Sequence, residues 1–271
     1  MLLPFFERPW MDAFDIATIP GLSGASISPA SVAPLSLWWE YAKSRNWVAG
    51  YIQLDPSVEL SELPPHSDLV PHNFLFFLDL DNWDPAKAPS RTIHRKIAAA
   101  EKNGAVLVSN TAELTQRLQE LYPSAMQRLG ASGIVALETL SRWASGPNSF
   151  IFGVRLGQVI HAVHLGHRAG EFAEVHTAAT TKEGRSLATV VYWGAADYLR
   201  QRGVRFYNLG GGPRPGDGIA QFKMRLGGRP AALRSIQQIY DRERYHEFCV
   251  RSGCGEDAGG RFPPYRYAGP G

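Results

Sequence analysis

The chain is poor in cysteine: 271 residues hold only Cys249 and Cys254. Two thiols five residues apart make neither a disulfide framework nor a four-ligand zinc site, so a reducing, cytoplasmic setting is the expectation. Long apolar runs are also lacking. No stretch approaches the roughly 20 residues that cross a bilayer, so no membrane span is expected. The opening Met1-Leu-Leu-Pro-Phe-Phe-Glu-Arg has no basic leader, and Pro4, Glu7 and Arg8 interrupt it, so it does not read as a signal peptide. Internal repeats and low-complexity tracts are absent. So are a Walker lysine motif and a Gly-x-Ser-x-Gly elbow, which removes the usual sequence signals for P-loop nucleotide hydrolysis and α/β-hydrolase chemistry.

What remains is a composition for burial. Hydrophobic residues make up 44%, with seven Trp and thirteen Phe, which excludes a disordered chain and supports one large domain or two modest ones. The net charge of +3 is unevenly spread. Residues 201–271 hold 12 Lys+Arg against 6 Asp+Glu, and residues 1–200 hold 16 against 19. A basic final third suits either a phosphate-bearing partner or a solvated surface.

Period and punctuation give the elements. Residues 12–34, rich in Pro, Gly, Ser and Ala, read as loops. Pro34 is placed at the first turn of a helix carrying Leu37, Trp38 and Tyr41, followed by a strand over 48–54 and a buried strand over 73–80. Asp81 to Pro89 is the expected domain boundary. Ser90 caps a helix ending at Asn103-Gly104, whose outer face carries Arg91, His94, Arg95, Lys96 and Lys102. A short strand at 105–108, a helix over 111–122 stopped by Pro123 and a helix near 135–145 come next. Strands at 150–156, 159–166 and 172–179 should pair antiparallel through short turns, whereas strand–helix–strand from 172 to 209 should pair parallel by a right-handed crossover. Ser186 is expected to open the long helix that ends at Arg202-Gly203, and a last strand covers 233–240. The expected class is a mixed α/β sheet with helices on its faces.

The centre of this pattern is Phe206-Tyr-Asn-Leu-Gly-Gly-Gly-Pro-Arg-Pro-Gly-Asp-Gly-Ile-Ala-Gln-Phe-Lys-Met-Arg-Leu-Gly-Gly228: strand, glycine turn, short helix. On spacing alone it is a tight connection whose Lys223 reaches solvent. His161, His164 and His167 suggest a metal cluster, but only His161 and His167 share a strand face and no cysteine or carboxylate set accompanies them, so no metal site is expected. His176 could act as a general base or serve as a core histidine, and Glu174, two residues away on the same face, is the competing base.

These segments resemble the GNAT superfamily and, more narrowly, Fem-type aminoacyltransferases that build peptidoglycan cross-bridges, with their acetyltransferase-like relatives. The likeness rests on Thr181-Lys-Glu-Gly-Arg-Ser before the long helix, Asn208-Leu-Gly-Gly-Gly, and Phe222-Lys-Met-Arg-Leu-Gly-Gly228. The run Arg91-x-x-His-Arg-Lys-Ile-x-x-Ala-x-Lys-x-Gly104, the Trp38-Trp-Glu-Tyr-Ala segment and Phe262-Pro-Pro-Tyr-Arg266 extend it over residues 20 to 266. The resemblance implies a partial GNAT-like domain at 1–85, shortened at its N-terminus, a complete one at 91–245 and a tail at 246–271.

It also implies an enzyme that moves an acyl or aminoacyl group onto an amine, with no tightly bound cofactor. Lys223 matches the family's Phe-Lys position near the donor ester and, with His176 and Glu174, makes up the expected catalytic set. The expected donor-binding set is Arg185, Ser186 and Ala188 at the helix start, Asn208, Gly210 and Gly211 in the turn, and Arg225. Coenzyme A users carry Arg/Gln-x-x-Gly-x-Gly/Ala at the helix start, where N–H groups cradle a diphosphate. Here Glu183-Gly-Arg-Ser-Leu-Ala188 puts a carboxylate first and a serine in place of the central glycine, which favours an aminoacyl-tRNA donor over acyl-CoA. The acceptor is the amine of a small molecule, peptide or cell-envelope precursor. An acyl-CoA-dependent enzyme and a non-catalytic GNAT-like binding module are the alternatives.

Overall fold

The computed structural model describes residues 3, 5–18, 32–56, 58, 60, 63, 66–87, 90–130, 135–212, 214–256 and 262–267. They form two compact units, one of Met1–Asn73 with Ala232–Gly271 and one of Phe74–Ala231. The chain therefore divides at 73/74 and 231/232, whereas the sequence places its boundaries at 85, 91 and 245. Part of the expected tail belongs to the first unit.

In the first unit, β1 (Phe5–Trp10) pairs antiparallel with β2 (Ala13–Thr18), and β2 runs parallel to β3 (Trp47–Gln53). The expectation of loops from residue 12 is thus corrected over 13–18, while residues 19–31 lie outside the described residues. β2 lies between two strands and buries both faces over Asp15–Thr18, so it shows none of the alternation that marks a half-buried strand. Pro9 fits in β1 because an edge strand leaves one row of N–H groups unpaired. Helix α1 (Val32–Ser44) starts two residues before Pro34; a proline within the first turn forgoes an N–H that has no intrahelical partner anyway. Ile16, Leu35, Trp38, Trp47, Ile52, Ile236 and Tyr240 form the core of this unit. Gly50 is required there, since a Cβ on it would meet the Tyr240 hydroxyl at 2.1 Å.

The second unit carries β4 from Phe74 onward (the strand is Ser67–Asp79), α2 (Arg91–Lys102), β5 (Val106–Val108), α3 (Thr111–Leu129) and α4 (Leu137–Ala144). Strands β6 (Ser149–Leu156), β7 (Val159–Ala169) and β8 (Phe172–Thr180) follow. Next come a 3-10 turn (Glu183–Leu187), α5 (Ala188–Arg200), β9 (Phe206–Asn208) and α6 (Gly218–Arg225). The strand order is β4-β9-β8-β7-β6-β5, antiparallel throughout except for the parallel pair β8–β9. This is the mixed sheet expected from hairpins followed by one crossover.

Ser90 caps α2 as expected, accepting from Ile93 N. Two other boundaries are corrected. α3 continues through Pro123 to Leu129, because Leu121, Tyr122 and Ala125 are buried and Met126 packs on the same core. Ser186 does not open the long helix; it lies inside the 3-10 turn, and α5 begins at Ala188.

The remaining elements are β10 (Arg229–Ile239) and α7 (Arg242–Arg251). Within the first unit, β10 residues 235–239 pair antiparallel with β3, and α7 packs Tyr245 and Phe248 with Val48 and Tyr265.

Candidate active site

Strands β8 and β9 pair only over Phe172–Glu174 and Phe206–Asn208. Beyond Glu174, β8 runs on to Thr180 without a β9 partner, while the other chain turns away at Leu209-Gly210. The two strands therefore open at the C-terminal end of β9, where a ligand can reach backbone groups of both.

The turn is fixed from within. Asn208, buried, accepts the Gly210 N–H at 2.8 Å, which bends the chain into the left-handed region (φ +74° at Gly210) that favours glycine. Asp217 then caps α6, accepting from Ile219 and Ala220 at 2.9 and 2.8 Å and from Arg214 N at 3.0 Å.

Lys223 on α6 is 5% exposed, and its Nζ donates to the Gly211 carbonyl at 2.5 Å. It lies 3.3 Å from where a Cβ on Gly210 would sit, so the glycine leaves room for the ammonium. Burial pushes the Lys223 amine down to about 8, with Asp217 opposing that shift. The lysine that spacing alone sends to solvent is thus a buried cation at the mouth of the strand opening.

Behind it lies a buried aromatic and imidazole cluster that sequence reasoning did not assemble. His164, fully buried on β7, is hydrogen-bonded through Nε2 to the Tyr207 hydroxyl of β9, across the intervening β8. Its ring meets Tyr192 of α5 edge-on at 4.4 Å. Burial, with Lys223 and His176 nearby, lowers His164 to about 3, so the imidazole is neutral. Its Nδ1 has no partner among the described residues. No local signal marks this pair, because the partners are 43 residues apart and meet over a third strand.

The structure does not bring the other two expected catalytic residues to Lys223. Ala173 and Val175 of β8 face the core of Tyr192, Tyr207, Ala220 and Leu226, which packs α5 and α6. Glu174, between them, points to the opposite face. His176 joins it there. Its ring lies 5.0 Å from Trp143 of α4 and 6.0 Å from His167, the β7 neighbour of Glu174. A register shift between Leu165 and Gly166 leaves His176 as the extra residue of a β-bulge. Burial and the neighbouring His167 lower His176 to about 4.

The expected donor-binding residues scatter similarly. Arg185 and Ser186 are exposed on the 3-10 turn and Ala188 is half-buried at the start of α5. Arg225 is exposed on α6 and donates to Gln221 at 3.1 Å. Only Asn208, Gly210 and Gly211 gather around Lys223.

Of the three strand histidines, His161 bonds Thr181 and His164 bonds Tyr207. Among the described residues no group of three or more His, Cys, Asp or Glu could hold a metal ion. A cleft of about 550 Å³ lined by Glu113, Arg117, Glu120 and Gln158 contains none of the expected site residues.

With this geometry in place, the solved structures show which fold it is. The chain resembles FemX (TM-score 0.66, 13% identity, covering 90% of this chain and 85% of that one). It also resembles the C-terminal domain of a putative lysylphosphatidylglycerol synthetase from Agrobacterium fabrum (0.60, 9%, 89% and 81%). A third likeness is to a tandem GNAT protein from the clavulanic acid biosynthesis pathway (0.50, 16%, 84% and 76%). No protein-family model and no curated protein matches the sequence. The chain shares the GNAT-type fold of these structures, a mixed α/β architecture, as the sequence motifs implied.

Proposed function

We propose that the protein is an N-acyltransferase that moves an aminoacyl group from aminoacyl-tRNA to the amine of a small molecule, peptide or cell-envelope precursor. The observation that carries this reading is Lys223, a buried ammonium held at the opening between β8 and β9. Attack of the amine on the donor ester forms a C–N bond and moves charge onto the carbonyl oxygen. The ester C–O bond then breaks and the amine proton passes to the leaving hydroxyl. One Lys223 N–H serves Gly211, which leaves two to face the developing oxyanion. With its pKa near 8 the group is mostly charged at neutral pH and is readily deprotonated within the cycle. One structural neighbour, the C-terminal domain of a putative lysylphosphatidylglycerol synthetase, is named for an aminoacylated product, which supports an aminoacyl donor.

The test is transfer from charged tRNA to a panel of amines. Lys223→Ala is expected to lower kcat by about 100-fold or more, the scale of removing one oxyanion donor, in a chain that still melts cooperatively. Lys223→Arg, whose planar fork cannot occupy the same pocket, is expected to rescue little of it. Turnover within about threefold of the native chain in Lys223→Ala sinks this reading.

The separation of Lys223 from His176 and Glu174 on opposite faces of β8 favours a second reading, a non-catalytic GNAT-like binding module. Absence of transfer from every charged tRNA and acyl-CoA tried, together with saturable ligand binding, would select it.

A further inference from the structure

Behind Lys223 the core holds a hydrogen-bonded pair that filling space does not require. His164 on β7 and Tyr207 on β9 are both fully buried and reach each other over β8. A neutral imidazole brings one N–H and a phenol one O–H, and here the two groups share a single hydrogen bond. His164 Nδ1 has no partner among the described residues. Whichever nitrogen carries the proton, one polar hydrogen of the pair therefore lacks an acceptor there. An apolar pair of the same volume would leave nothing unmet, so packing does not account for this one.

What the pair touches is the support of Lys223, on two sides. Tyr207 directly precedes Asn208, whose side chain accepts the Gly210 N–H at 2.8 Å. That contact sets the turn that offers the Gly211 carbonyl to Nζ. On the other side, the His164 ring meets Tyr192 of α5 edge-on at 4.4 Å. Tyr192 in turn meets the ring of Phe222, the residue before Lys223 on α6, at 5.5 Å. Phe150 closes the cluster, 5.9 Å from the His164 ring and 6.2 Å from that of Tyr207. One imidazole thus joins the acceptor of the ammonium, through β9, to the helix that carries it, through α5. The titratable groups gathered here are Asp217 on α6, Tyr192, Tyr207 and His164, with His176 on the far face of β8. Burial keeps the tyrosines and imidazoles uncharged at neutral pH, which leaves Asp217 as the charge that opposes the shift of Lys223.

We propose that His164 is a positioning residue for Lys223: through Tyr207 and Tyr192 it holds the glycine turn and α6 where the ammonium is fixed. This deepens the acyl-transfer reading, but its first readout needs no turnover. Lysine labelled with 13C at Cε reports the titration of Lys223, its signal assigned by loss in Lys223→Met. His164→Phe keeps a ring and leaves the buried Tyr207 hydroxyl without its partner, so that only admitted water can meet it. The amine, native at about 8, is then expected to titrate at about 9 or above, a change of at least about tenfold in its acid constant. Tyr207→Phe is expected to move it the same way. His164→Gln, whose amide can still meet the hydroxyl, is expected to keep it near the native value.

A folded His164→Phe whose amine stays at the native value, or falls, overturns the proposal, since the ring then acts as filler. Should His164→Phe fail to melt cooperatively, Tyr207→Phe, which loses one hydroxyl, decides alone on the same criterion. In transfer from charged tRNA, kcat is expected to fall and its pH profile to move with the amine, at unchanged KM. A shifted amine in these variants, beside a Lys223→Ala that keeps full turnover, leaves the positioning role standing and removes the Lys223 mechanism.

Discussion

At the scale of single residues, Lys223 sets the energetics. Its folded pKa of about 8 lies below the ordinary lysine value of 10.5, so burial penalises the charged form. Between pH 8 and 10.5 the unfolded chain binds the extra proton and the native chain does not, so stability from this group rises with pH across that window. Below pH 8 both states are protonated and the penalty is present in full. Lys223→Met is therefore expected to stabilise the fold at pH 7 by up to about 3 kcal/mol. That advantage shrinks above pH 8 and vanishes near 10.5, as read from denaturation midpoints across pH. A stabilised variant without turnover would mark the lysine as held for function against stability. The position of Lys223 just past a glycine turn was legible in the sequence. Its burial was not, because that depends on Asp217, Gly211 and the ring cluster around His164 meeting from four elements.

At the scale of elements, the sequence and the structure disagree where tertiary packing overrides local chemistry. Pro123 reads as a stop, and α3 nevertheless runs six residues past it, since Tyr122, Ala125 and Met126 pack on the core with Leu118 and Val163. A proline there costs the Gln119 carbonyl its helical partner. Pro123→Ala is expected to stabilise the protein by about 1–3 kcal/mol, seen as a higher midpoint with an unchanged denaturant slope. The three antiparallel strands were legible from turn lengths, and the crossover from β8 to β9 from the strand–helix–strand order. The bulge at His176 was not, because an inserted residue changes register without changing composition. Period two does place Glu174 and His176 on one face. It says nothing of which face Lys223 approaches, and there the expected catalytic set divides.

At the scale of the whole molecule, contiguity in sequence and contiguity in space part company. The basic final third looked like a single charged region. Its residues fall on both sides of 231/232, +5 over 201–231 and +1 over 232–271, so most of that excess belongs to the unit that carries Lys223. The first unit is built from both ends of the chain. Asp15, with no side-chain exposure, is held by Arg8 Nε and Arg266 Nε at 2.5 Å each and by the Tyr265 hydroxyl at 3.3 Å. Arg266 also donates to the carbonyls of Arg8 and Pro9. Arg266→Ala leaves a buried carboxylate with half its countercharge and is expected to cost about 3–5 kcal/mol. Urea denaturation checks this, and a loss under 1 kcal/mol would show that Arg8 suffices.

That junction sets an order on synthesis. On the ribosome, residues 1–73 precede β10, α7 and Arg266 and must wait for them before their core can close, whereas Phe74–Ala231 is a continuous run that is complete earlier. The nascent chain thus carries an open first unit, with Asp15 short of its second arginine, until Arg266 has been added. A chain cut short before β10 would keep the stretch that carries Lys223 while its first unit lacked β10, α7 and Arg266, and that open core is expected to be a target of chaperones or proteases.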